Sequence, residues 1–201
     1  MIMAAQMKKA IIAMMVMALF SVYMSGCGDD FYAHSDKYDK EYFNSLITAV
    51  ESGDADNIKS LFAQNVCEKE DDLEVGIEEI LKLYKGKMVS YKKSANETQS
   101  LTNGYKEKYS SYEITTDEGE YYIAYIYQAG GDKNDIGFRH IGMCRLDDSY
   151  DYDVNVSYEK VEGAYAYCDE EAKNRINKKL SAAGFDFEEY RRNLEDATQS
   201  E

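Results

Sequence analysis

Apolar residues recur at helical spacing through the first third of the chain beyond residue 35. Tyr42, Phe43, Leu46, Ile47 and Val50 share one face of a helix that Asp36 or Asp39 can cap, running to about Ser52, with Gly53 as a stop. Asp54 or Asp56 opens a shorter helix with Ile58, Leu61 and Phe62 inward. Leu73, Ile77, Ile80, Leu81 and Tyr84 predict a third from about Asp71 to Lys85, ended by Gly86. The period then changes from helical to alternating. Lys87–Lys93, Tyr105–Thr116, Glu120–Gln128 and Ile136–Leu146 read as strands. Asp117-Glu118-Gly119 and Gly130–Asp135 supply the turns between them. Three short amphipathic helices cannot bury their faces alone, so an antiparallel meander with the helices gathered on one face is expected, an α+β domain. Further on, Tyr150, Tyr152, Val154, Val156 and Tyr158 alternate with polar residues and predict another strand. Asp169 caps a helix containing Ala172, Ile176 and Leu180 that stops near Gly184. Asp186 opens a last one with Phe187, Tyr190 and Leu194.

The N-terminal residues have a different pattern. Lys8 and Lys9 precede Ala10–Met24, 15 residues of which only Ser21 is polar. A membrane span needs about 20 apolar residues, whereas a secretory signal uses about 7–15. Met24-Ser25-Gly26-Cys27 follows and resembles a bacterial lipobox, in which small residues precede a Cys that is lipidated and becomes the new N-terminus. Met24 stands where the pattern prefers Leu. The resemblance implies membrane lipid as a partner through acylated Cys27, and a place on the extracytoplasmic face of a bacterial cell membrane. The expected organisation is a signal peptide over 1–26, the lipidated Cys and a tether over 27–36, an α+β domain over 37–148, and a C-terminal strand and helical extension over 149–201. Removing residues 1–26 from the 201 leaves 175 residues. Lys8 and Lys9 go with them, taking the net charge from −15 to −17.

That charge excludes nucleic acid as a partner, because phosphate binding needs a basic surface. Acidic residues outnumber basic ones 38 to 23. Excluding the anchor leaves Cys67, Cys144 and Cys168, which can form one disulfide or none and match no zinc spacing. No protease, hydrolase, dinucleotide or P-loop motif is present. The turn Asp132–Gly137 fails as a calcium loop, with Ile136 and Met143 at ligand positions. Asp147, Asp148, Asp151 and Asp153 read as solvated strand ends. No metal or cofactor is expected.

Three N-terminal helices leading into a curved antiparallel sheet resemble the nuclear transport factor 2-like (SnoaL-like) cone. Asn57–Phe62, Gly76-Ile77 through Leu83–Lys87, Tyr91-Lys92, Thr116-Asp117 and Asn134–Gly137 are similar to an uncharacterised family of lipoproteins from Gram-positive bacteria that carry this cone. The resemblance covers roughly residues 40–147 and rests on packing and turn residues, so it supplies no catalytic residues. Of the 19 Tyr, Tyr105, Tyr109, Tyr121, Tyr122, Tyr125 and Tyr127 cluster on adjacent strands. With an apolar ring and a polar tip, Tyr suits a binding pocket. Tyr109, Tyr121, Tyr125, Tyr127 and His140 are the candidate pocket residues. His140 is the only His outside the tether and is expected to share a strand face with Phe138, Gly142 and Cys144. Two readings follow: a non-enzymatic module binding a small molecule or an envelope protein, and a small cone enzyme of isomerase, dehydratase or hydrolase type acting on an apolar substrate. For a two-lobed solute-binding protein, 175 residues are few.

Overall fold

The structure, a computed structural model, describes residues 35–94, 98–102, 105–148, 162–167 and 169–184. The chain divides into a unit of residues 1–40 and a unit of residues 41–201. Of the first, only the opening turns of α1 are described. Residues 1–34, including Cys27, the strand expected at 150–158, Cys168 and the expected last helix lie outside the described residues. Among the described residues no helix is long and apolar enough to cross a membrane.

Five helices are described: α1 (Ser35–Ser52), α2 (Ala55–Lys59), α3 (Gln64–Lys69), α4 (Leu73–Leu83) and α5 (Glu170–Ala182). α1 ends as its sequence predicts, with Gly53 at φ 66°. Asp54 caps α2, its carboxylate accepting from the Asp56 N–H at 3.0 Å. The second helix predicted from the sequence is cut short at Lys59, leaving Leu61 and Phe62 beyond it, and α3 went unforeseen. The chain is drawn off at Phe62, which bridges Phe138 in parallel fashion. There the Ala63 N–H donates to the Phe138 carbonyl and the Phe138 N–H to the Leu61 carbonyl, both at 3.0 Å. Backbone groups engaged by a strand cannot also continue a helix.

Among the described residues, six strands form one mixed sheet: β1 (Met88–Lys93), β2 (Thr98–Thr102), β3 (Tyr105–Thr116), β4 (Glu120–Gln128), β5 (Gly137–Arg145) and β6 (Gly163–Tyr167). The main path runs β1-β3-β4-β5-β6, and β2 pairs β3 beside β1. β1 and β2 both run antiparallel to β3, one against Tyr112–Thr116 and the other against Tyr105–Tyr109. Together they cover its outer edge. β1 is itself an edge strand, with Val89 71 % exposed at a bulge and Lys92 beside it. Bulges and lysines are common guards against edge-to-edge pairing.

The sheet differs from a pure meander at its other end. β6 pairs β5 in parallel, whereas the sequence pattern led us to expect antiparallel pairing throughout. The helices also occupy both faces. Phe43, Leu46, Ile58, Val66, Ile77 and Ile80 of the N-terminal helical region pack with Tyr121, Ile123, Tyr125, Phe138 and Met143 in the larger apolar cluster. α5 instead places Ile176 and Leu180 with Tyr122, Ala124, Cys144, Tyr165 and Tyr167 in a smaller one. α5 otherwise follows its sequence. The Asp169 carboxylate accepts from the Ala172 N–H at 2.9 Å, and Ala172, Ile176 and Leu180 are all buried.

Candidate functional site

The tyrosines of β4 alternate between the two clusters, as a pleated strand requires. Tyr121, Tyr125 and Tyr127 belong to the larger one. Tyr127 stacks on Tyr42 of α1, ring centroids 3.5 Å apart, and stands edge-on to Phe138 at 5.2 Å. Tyr125 meets Phe138 edge-on at 5.2 Å and lies parallel to Tyr112 at 6.1 Å. Tyr121 leans on Tyr84 at 5.0 Å, and its hydroxyl accepts from the Lys85 N–H at 3.0 Å. These three tyrosines are packed interior side chains.

His140 and Tyr109 are on the other side. The β4–β5 register pairs Ile126 with His140 but Tyr127 with Phe138, leaving Arg139 as an extra residue. That bulge turns Phe138 toward the larger cluster and His140 away from it. The expectation that Phe138 and His140 share a face is therefore corrected. His140 is fully buried and stacks on Tyr165 at 5.3 Å. The Tyr109 and Tyr122 hydroxyls are 3.4 Å apart. The five candidate pocket residues thus divide three to two across the sheet and form no common lining.

The charged groups near this second face are matched. Arg139 spans from Glu107 of β3 to Glu162 ahead of β6. On α5, Arg175 pairs with Asp72 at 2.9 Å and with Glu79. Lys179 reaches Asp72 at 2.6 Å and Glu70, and donates to the Tyr165 hydroxyl at 3.1 Å. Burial works against the Asp72 charge, yet hydrogen bonds from Lys179 and Arg175 outweigh it and hold the carboxyl below its usual range. The sequence reading missed this cluster. Its signal is an Arg and a Lys four residues apart on one helix, facing the acidic run Glu68–Glu74.

Burial pushes the hydroxyls of Tyr127 and Tyr165 up to about 12, and that of Tyr84 higher still. The fold holds these groups neutral. Their contribution is intact below pH about 10 and is lost as pH rises toward 12. Alkaline titration at 295 nm should therefore show a late phase near pH 12 coincident with loss of near-UV circular dichroism. A single phase near 10 would contradict the packing described.

Residues 45–146, just over half of the chain, match the family model described as Domain of unknown function (DUF5104). The chain belongs to the DUF5104 family. No curated protein matches it. The DUF5104 span runs from within α1 to the end of β5 and leaves β6 and α5 outside.

Within the DUF5104 span, the motif residues singled out in the sequence hold turns and crossings. Gly86 has φ 82°, and the Asp117 carboxylate beside it accepts from the Lys87 N–H at 2.6 Å. The Thr116 hydroxyl donates to the Lys85 carbonyl at 2.8 Å and accepts from the Gly119 N–H at 2.9 Å. Asn65 of α3 donates to the Asp135 carboxylate at 2.7 Å. Gly137 has φ 137°, and a Cβ there would stand 2.6 Å from the Ala63 nitrogen. Cys67 is partly buried and Cys144 fully so. Burial raises the Cys67 thiol above its ordinary value. Among the described residues no three metal-ligating side chains gather.

Proposed function

We propose that this chain is a lipid-anchored extracytoplasmic module, built on a nuclear transport factor 2-like cone, that binds a partner and does not turn over a substrate. The observation that carries the reading is Met24-Ser25-Gly26-Cys27 behind Lys8, Lys9 and the apolar run Ala10–Met24. Each buried CH₂ of an acyl chain contributes about 0.8 kcal/mol, so two or more chains on Cys27 anchor stably. Support for the cone comes from the helices packed on the larger cluster of an antiparallel β1-β3-β4-β5 sheet. Support for a non-enzymatic role comes from His140. A general base must reach a substrate proton, and a fully buried ring stacked on Tyr165 is poorly placed to do so. With Tyr121, Tyr125 and Tyr127 packed in the core, recognition falls to the outer surface, which suits an envelope protein better than a small molecule.

The test is fractionation of bacterial cells expressing the full chain. The parent should be found with the membranes and take up labelled fatty acid. Cys27→Ala should lose the label and leave the membrane fraction. A Cys27→Ala chain that stays membrane-associated would reject the anchor. In-cell crosslinking of the parent should yield a discrete adduct with an envelope protein, and a crosslinked profile without one would reject the partner-binding role.

A further inference from the structure

The chain is acidic as a whole, but its charge is unevenly spread. Residues 82–93 hold five of its 23 Lys and Arg, at Lys82, Lys85, Lys87, Lys92 and Lys93, and no Asp or Glu. They run from the last turn of α4 through β1. Val89 and Tyr91, two of the three large apolar side chains exposed among the described residues, lie on the same strand.

β1 is also open along one edge. It ends the sheet path, and no described strand lies beyond it. The Ser94 N–H donates to the Ser111 carbonyl at 2.9 Å, continuing the β1–β3 register. In an antiparallel pair the inward backbone groups belong to every second residue. Those of Ser90 and Lys92 therefore serve β3, and the Tyr91 N–H and C=O face away from it. The Tyr91 ring is fixed from the inside, 4.7 Å from Phe43 and edge-on to Tyr112 at 5.9 Å. An ordered, partly exposed ring thus stands beside outward-facing backbone.

The acids around β1 leave its charge available. Glu51 accepts from the Met88 N–H at 2.7 Å and pairs with Lys87 at 3.5 Å, while Glu113 lies 3.3 Å from Lys92. Asp117 accepts from the Lys87 N–H. The Lys87 and Lys92 side chains are still 67 % and 76 % exposed, and ion pairs this open contribute little. Either ammonium can take a second carboxylate without losing its first.

We infer that the outer edge of β1 is a docking site for an acidic, extended segment of an envelope protein, which adds a strand to the sheet there. The inference rests on the partner-binding reading above and names that partner's chemistry. In strand addition the backbone bonds give affinity and alternate side chains give specificity. Carboxylates opposite Lys87, Lys92 and Lys93 make favourable cross-strand pairs, and apolar residues between them cover Val89 and Tyr91. The same lysines disfavour a second copy of β1, which would set lysine against lysine.

The probe is a fluorescent heptapeptide of alternating Glu and Val, titrated into the full chain. It should bind saturably and slow hydrogen exchange at the Tyr91 amide at least about tenfold, with the β6 amides unchanged. A Lys/Val peptide of the same length, and the Glu/Val peptide N-methylated throughout, should each bind at least about tenfold more weakly. Lys87→Glu/Lys92→Glu in the full chain should weaken the Glu/Val peptide about tenfold or more. Absence of saturable binding up to about 1 mM, equal binding of the N-methylated peptide, or protection that arises away from β1 would overturn the inference. Binding of phosphatidylglycerol vesicles without binding of the peptide would also overturn it, assigning the lysines to a lipid surface. The peptide titration does not involve Cys27, so it is independent of the anchor. Crosslinking in cells separates the remaining two readings. An adduct of the parent that Lys87→Glu/Lys92→Glu retains in full would reject the β1 site and leave partner binding standing.

Discussion

Alanine at position 76 is expected to push β6 off the sheet edge and destabilise the protein. Two effects oppose each other there. Gly76 lies within α4, where alanine is the better helix former by about 1 kcal/mol. The new methyl would stand 1.8 Å from the Ala164 carbonyl oxygen and 2.6 Å from its carbon. Overpacking a core costs about 1–3 kcal/mol when side chains can yield. Here the neighbour is backbone, which cannot rotate aside, so the whole strand must shift. We expect a net loss of about 2 kcal/mol or more, above the propensity gain. Urea denaturation of Gly76→Ala against the parent measures it. A midpoint at or above that of the parent would show that β6 does not sit against α4 at this distance.

Tyr125→Ala should cost about 3–5 kcal/mol, the range for removing a large aromatic side chain from a core. Tyr125 is fully buried, edge-on to Phe138 and parallel to Tyr112. Its removal leaves those two rings facing a cavity that the backbone of β4 cannot close. A pocket residue would behave differently, because truncating the wall of an open site leaves folding nearly unchanged. Thermal unfolding of Tyr125→Ala separates the two cases, and a loss under about 1 kcal/mol would return this residue to the list of ligand contacts.

The sequence was most legible where one period persists over many residues. α1, α4 and α5 announce themselves by apolar spacing, with Gly53, Asp169 and Gly184 marking ends. β3 and β4 have the bounds that alternation predicts. The unforeseen features depend on contacts between distant segments. Nothing local to Phe62 and Ala63 reveals that a strand 75 residues later, at Phe138, will take their backbone hydrogen bonds. β6 reads Gly-Ala-Tyr-Ala-Tyr, too small and short to stand out, because its inner side faces a glycine. The candidate site was legible in type but not in placement. Tyrosines on strands could be recognised, but the side each one faces near β5 depends on the extra residue Arg139. The clasp of Arg175 and Lys179 needs the tertiary fold before its acids come into reach.

The Phe62–Phe138 crossing also bears on how the chain acquires its structure. Loop closure across such a separation is slow relative to forming a helix turn or a tight hairpin. During synthesis, α1 to α4 emerge well before the β5 strand that fixes the end of α2 and the start of α3. Their apolar faces then have no partner, and helices as short as α2, α3 and α4 are marginal alone in water. The nascent chain should therefore stay open until β5 has been made and then fold in one late, cooperative step.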